Sequence, residues 1–363
     1  MKELRETDLI DFSLRLFKEV FQGGENRLVS PLSVMLCLGM VLSGAKGETR
    51  EGIVNTLAPG VDPEAFHRLL TGYVSSLPAS EKAKFKFADS VWINEKIRMI
   101  RSYERKTESQ YRAEIERLPF DDAAVKKINA WVKKHTDGMI DSVIESASPE
   151  AMMYLINALV FDAEWMRPYD TYSIEKACFQ AASGETAEID GMYGEESIYL
   201  QNDRYTGFVK PYADKKYAFL AMLPEKGVSL ESFVAALDTE TYVRALTSCE
   251  NRKVDTMIPK YALDDSLTLN GALDALGMGI AFSADADFSG MAKDPLSVGE
   301  VIHKTHIEVD ERGTKAGAVT AVMMKMAAIP EEKPKVFLDR PFVYAIIDTE
   351  RLVPLFIGAA ERI

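Results

Sequence analysis

The 363-residue chain is 47% hydrophobic and 27% charged, with 22 glycines and 15 prolines spread along it. Those proportions exclude a disordered, collagenous or disulfide-scaffold chain and leave ample apolar material for a large core. Lys and Arg number 43 against 56 Asp and Glu, a formal charge of −13, and such a field repels phosphate backbones and anionic lipid. Neither nucleic acid nor a membrane is an expected partner.

Residues 7–21 place Leu9, Phe12, Leu16 and Val20 on one helical face, with Thr7 as the expected cap and Gly23-Gly24 as the stop. Ser30-Pro31 opens a second helix: the hydroxyl caps it, and proline takes a position where its missing N–H costs nothing. That helix is apolar nearly all round, which predicts burial, and the run 34–42 falls far short of the ~20 residues that span a bilayer. Polar helical segments follow at 64–76, 102–111 and 124–135. Phe85, Phe87, Val91 and Ile93 then mark a roughly alternating strand. The run 152–161 is apolar except for Asn157, the pattern of a central strand buried on both faces. Further β runs lie at 217–223, 336–338, 342–347 and 355–357. Helices gather early and strands late, and neither linker nor repeat divides the chain. The expected class is α+β, in one domain over 1–363.

Catalytic signatures are missing from the sequence. Cys37, Cys178 and Cys249 have no metal or redox spacing, and His67, His135, His303 and His306 form no His-Glu-x-x-His pair. There is no Gly-x-Ser-x-Gly elbow and no phosphate-binding loop, and Gly277-Met278-Gly279 lacks the third glycine of a dinucleotide fingerprint. An enzyme is not expected, and neither is a metal or a cofactor. The charged start, Met1-Lys2-Glu3-Leu4-Arg5-Glu6, has no apolar signal core. The expectation is an extracellular protein whose signal is absent from this chain, with a cytoplasmic one as the alternative.

The stretch 311–330 carries no aromatic residue, and its first proline is Pro330. Read with period two, one face holds Thr314, Ala316, Ala318, Thr320, Val322, Met324 and Met326, small at the start and larger later. A strand of that shape slides between two others without a steric block, whereas a solvent loop would be rich in Asn, Asp, Ser and Pro. Composition alone equally admits an Ala-rich helix or a linker.

Motifs along nearly the whole chain decide between these readings, because their order and spacing resemble those of the serpin family. They are Asn26-Arg27-Leu28-Val29-Ser30-Pro31-Leu32-Ser33, Gly44-Ala45-Lys46-Gly47-Glu48-Thr49, Asn157-Ala158-Leu159-Val160-Phe161 and Ala286-Asp287-Phe288-Ser289-Gly290-Met291. Glu311-Arg312-Gly313-Thr314, Arg340-Pro341-Phe342 and Pro354-Leu355-Phe356-Ile357-Gly358 extend the likeness to the end.

The resemblance implies a serpin fold: three β-sheets, a surrounding helical set and an exposed reactive-centre loop at about 311–334. It implies a monomer that traps a serine protease as an acyl-enzyme when the cleaved loop enters the main sheet. The hinge would be Glu311, Gly313, Thr314, Ala316, Gly317 and Ala318. A shutter of Ser30, Ser33, Asn157 and His303 would lie beneath the sheet, and a breach of Trp165, Lys260 and Glu311 at its top. The family's spacing from Glu311 puts the scissile bond at Ala327-Ala328, which suits elastase-like or subtilisin-like proteases. Lys325 and Met326 are the competing sites, fitting trypsin-like and chymotrypsin-like pockets. A non-inhibitory serpin acting as carrier, storage protein or chaperone is the other reading.

Overall fold

The computed structural model describes residues 5–77, 82–111, 113–314 and 333–363, without the side chains of 86–88. Ala316, Gly317, Ala318, Lys325, Met326, Ala327 and Ala328 therefore lie outside the described residues.

Strands among the described residues form three sheets. The main sheet runs Tyr261–Thr268, Glu300–Val309, Met153–Glu164, Ala83–Asn94 and Glu114–Leu118, with the two-residue strand Gly313–Thr314 wedged between the second and third of these. A second sheet runs Arg27–Val29, Pro354–Ala360, Phe342–Asp348, Tyr217–Pro224, Tyr205–Pro211 and Tyr199–Gln201. The third runs Lys335–Phe337, Val254–Pro259, Thr186–Glu196 and Ile174–Gln180.

The central strand Met153–Glu164 explains the layering. Its even-numbered side chains Tyr154, Ile156, Ala158 and Val160 join Trp92 and Ile302 in a core beneath the helix Asp122–His135, which contributes Ala124, Ile128 and Val132. Its odd-numbered Met153, Leu155, Leu159 and Phe161 face a larger core built on the second sheet and the helices Glu6–Val20 and Pro31–Leu42. Phe161 packs edge-on to Tyr212 and Tyr217, at centroid distances of 5.0 and 6.0 Å. A strand with apolar partners on both sides needs the unbroken run that the sequence displays. Every residue of Pro31–Leu42 is buried, as its all-round apolarity requires.

Some local expectations need correction. The first helix begins at Glu6, not after Thr7: Arg5 is its N-cap, and the Asp8 carboxylate accepts the Arg5 N–H at 3.0 Å. Asp8, at the third helical position, reaches back to that N–H, whereas Thr7 already lies inside the first turn, two residues past the cap. Helices are also not confined to the first half, since Leu230–Ala236 and Thr239–Thr247 form late, capped by Ser229 and Asp238.

Candidate functional site

Two clusters on the main sheet bring the expected residues together. The upper one surrounds the strand stub. Thr314 stands opposite Ala163 on one side and Val309 on the other, antiparallel to both neighbours. Just below, those neighbours pair directly and in parallel, from Glu300 opposite Tyr154 to His306 opposite Val160. The sheet is thus split at its top and closed beneath. Gly313 fits only because it lacks a side chain, since a Cβ there would lie 2.0 Å from the Ala163 carbonyl oxygen.

Thr314 is fully buried, and its hydroxyl is 2.7 Å from that of Tyr212. The Tyr212 ring stacks on Trp165 at 4.6 Å and 10°. The Trp165 indole N–H donates to the carbonyl of Asp310 at 2.9 Å, and its backbone N–H to Arg312 at 2.8 Å. The turn into the stub is held by the Asp310 carboxylate, which accepts the Arg312 and Gly313 N–H groups at 2.7 and 3.0 Å. Lys260 Nζ meets Glu311 Oε2 at 2.6 Å and holds that carboxyl below the usual glutamate range. Both side chains are about one-third exposed, so the pair contributes only ~0–1 kcal/mol.

The lower cluster is a buried polar row across three adjacent strands. Asp89, Asn157 and His303 are register partners, with Ser30 and Ser33 approaching from the helix Pro31–Leu42 and its cap. The Ser30 N–H donates to His303 Nε2 at 3.0 Å, which leaves the proton on Nδ1 to bond Asn157 Oδ1 at 2.5 Å. The Asn157 amide then donates to both Ser33 Oγ and Asp89 Oδ1. Ser30 Oγ closes the set on the Leu355 carbonyl at 2.7 Å. Any strand inserted between Met153–Glu164 and Glu300–Val309 must part His303 from Asn157.

Burial pulls the His303 imidazole down to about 3, so it is neutral. Burial also pushes the Asp89 carboxyl up to about 7, against the bonds from Asn157 and Ser33. The native state holds the Asp89 proton more tightly than the unfolded chain, so this group's stabilisation is full below about pH 4 and is lost as pH rises to 7. His303 acts oppositely, costing stability as pH falls from 6.5 toward 3. The two offset each other in mild acid. Asp89→Asn keeps an acceptor for Asn157 and removes the buried charge. At pH 8 the intact variant is expected to unfold in urea with ~2 kcal/mol more stability than the parent, and to destabilise on acidification where the parent stays nearly flat. Equal stability at pH 8 would count against a charged Asp89 in this row.

The structure gathers Ser30, Ser33, Asn157 and His303 in one cluster and Trp165, Lys260, Glu311, Gly313 and Thr314 in the other. Asp89, Tyr212 and Asp310 belong to these clusters and were not anticipated. Asp89 had a sequence signal, an acid in phase with Phe85 and Val91 on a strand's apolar face.

Fold and site together define a class: an α+β protein of three sheets whose main sheet holds the beginning of a strand above a closed seam. A family profile described as Serpin (serine protease inhibitor) matches residues 7–362, and the chain belongs to that family. It is 29% identical to Serpin B6 of Macaca fascicularis, over 96% of each chain. Tengpin, a thermophilic serpin, is similar in its native state with a TM-score of 0.94 and 36% identity, covering 100% of this chain and 96% of tengpin. Its latent state is similar at 0.86 and 35%, covering 98% and 96%. Human thyroxine-binding globulin in complex with thyroxine matches at 0.90 and 25%, over 98% of each chain.

Proposed function

We propose that this serpin inhibits serine proteases as a suicide substrate, and that residues 314–326 are the strand its main sheet lacks. The protease serine attacks the Ala327 carbonyl, the Ala328 amine leaves, and an ester joins the two proteins. The freed segment then enters the sheet and carries the acyl-enzyme with it before water can hydrolyse the ester. The observation that carries this reading is the stub. With Thr314 opposite Ala163 and Val309, an unbroken antiparallel ladder takes residue 323 to the level of Glu300 and residue 324 to that of Met153. Thirteen residues at ~3.3 Å each span about 40 Å, enough to run the length of the sheet. The same register turns Ala316, Ala318, Thr320, Val322 and Met324 toward the larger core with Thr314. Lys315 and Lys325 turn to the opposite face.

Asp89, Asn157, His303, Ser30 and Ser33 act as the shutter that must re-bond as the seam opens, and Trp165, Lys260 and Glu311 form the breach where opening starts. A small residue before the scissile bond favours elastase-like or subtilisin-like targets, with Met326 and Lys325 as the sites for chymotrypsin-like and trypsin-like ones. The inhibitor acts as a monomer without a cofactor, in an extracellular setting. The likeness to a thyroxine-binding globulin keeps a non-inhibitory carrier as the second reading.

The test is to mix the protein with representatives of these four protease types and boil the products in detergent. A band at the summed mass, with a released peptide beginning at Ala328, is the expected result. Cleavage alone across the panel would assign the chain to the non-inhibitory class.

A further inference from the structure

Lys210 and Glu196 form an ion pair sealed inside the upper end of the fold, with side chains only 3% and 6% exposed. Glu196 ends the third-sheet strand Thr186–Glu196, and Lys210 lies on the second-sheet strand Tyr205–Pro211. The ammonium donates to Glu196 Oε1 at 2.7 Å and to the Arg167 carbonyl at 3.1 Å. It also stands 4.3 Å from the Tyr169 ring centroid and 5.3 Å from that of Trp165.

Stability gives little reason for a charge here. Stripping water from an ammonium and a carboxylate is costly, and apolar side chains of similar volume often fill such a space at least as well. Burial draws the ammonium's pKa down, and the Glu196 carboxylate opposes that fall. What distinguishes the pair is what it touches. Arg167, Tyr169 and Trp165 belong to the segment that leaves the top of the central strand. That segment also receives the hinge, since the Trp165 and Tyr169 N–H groups each donate at 2.8 Å to the carbonyls of Arg312 and Glu311. One buried cation therefore ties the top of the main sheet, and the surface on which the hinge rests, to both other sheets.

We propose that Lys210 and Glu196 are positioning residues for loop insertion: they pin the Trp165–Tyr169 segment, and with it the upper end of the central strand, so that the seam stays shut until the loop is cut. The inference rests on the function proposed above. Without the pin, the central strand separates from Glu300–Val309 more readily, and the intact loop enters the sheet on its own.

The test compares the full-length parent with Lys210→Met/Glu196→Gln, which keeps the volume and removes both charges, and with Lys210→Arg, which keeps the cation. Each is warmed below its melting point, and conversion to an inserted, more stable form is followed by native gel and by urea resistance. The double variant is expected to convert at least about fivefold faster, while Lys210→Arg stays within twofold of the parent. All three, once loop-cleaved, should resist urea equally. A double variant that converts at the parental rate overturns the proposal. So does one that loses urea resistance equally in its intact and cleaved forms, because the pair would then be merely structural. If the parent itself gains no urea resistance on cleavage, the loop-insertion reading fails first. A parent that gains it beside variants that match its conversion rate condemns only the clamp.

Discussion

Thr314→Arg is expected to convert the proposed inhibitor into a substrate, lowering the fraction of protease trapped by more than about tenfold while the loop is still cut. Thr314 is fully buried, and its hydroxyl bonds that of Tyr212, which is stacked on Trp165. A guanidinium cannot share that space without displacing the tyrosine. Among the described residues the Thr314 hydroxyl meets that of Tyr212 and not a carboxylate that would offset the lost hydration, so insertion stalls at its first inward residue. Deacylation then wins the race against strand entry, and the protease is released active. The folded state should survive, because the hinge can leave the sheet without disturbing the closed seam below it. The number of inhibitor molecules consumed per protease inactivated reads the effect, with Thr314→Ser as a control expected to stay near the parent. Unchanged trapping by the arginine variant would show that residue 314 does not lead the insertion.

Cutting the loop is expected to raise the melting temperature by roughly 20 °C or more without any change of sequence. Insertion replaces the single parallel seam between Met153–Glu164 and Glu300–Val309 with two antiparallel ladders, a net gain of about ten backbone pairs at ~1 kcal/mol each. Burial of Ala316, Ala318, Thr320, Val322 and Met324 adds to that. A driving force on the order of ten kcal/mol equals the stability of an ordinary domain, enough to deform a bound protease if the chain inhibits as proposed. Under the proposed mechanism the cost includes parting His303 from Asn157, which would make the buried polar row a gate on the rate.

The family was legible in the order and spacing of motifs along the chain, and the central strand in an apolar run broken only by Asn157, because that strand is buried on both faces. The strand Glu300–Val309 was harder to see. Its inward positions Val301, His303, Thr305, Ile307 and Val309 are all buried, but two of them are polar. The polar residues bond Asn157 and the Leu28 carbonyl, and they mask the apolar alternation. The edge strand Ile174–Gln180 buries only Phe179, so solvent, not the core, wrote most of its sequence. The short helices at 230–236 and 239–247 had visible caps in Ser229 and Asp238, but each is too brief for periodicity to show. Within the site, Tyr212 is meaningful only beside Thr314, and chain order alone does not bring residues 102 positions apart together. The Lys210–Glu196 pair is likewise a product of two sheets meeting.

Amide hydrogen exchange of the purified, loop-cleaved protein addresses the central claim most directly. If the segment completes the main sheet, the amides of residues 315–324 exchange as slowly as those of Met153–Glu164 beside them. Full exchange of those amides within seconds, with the cut end free in water, would contradict the account.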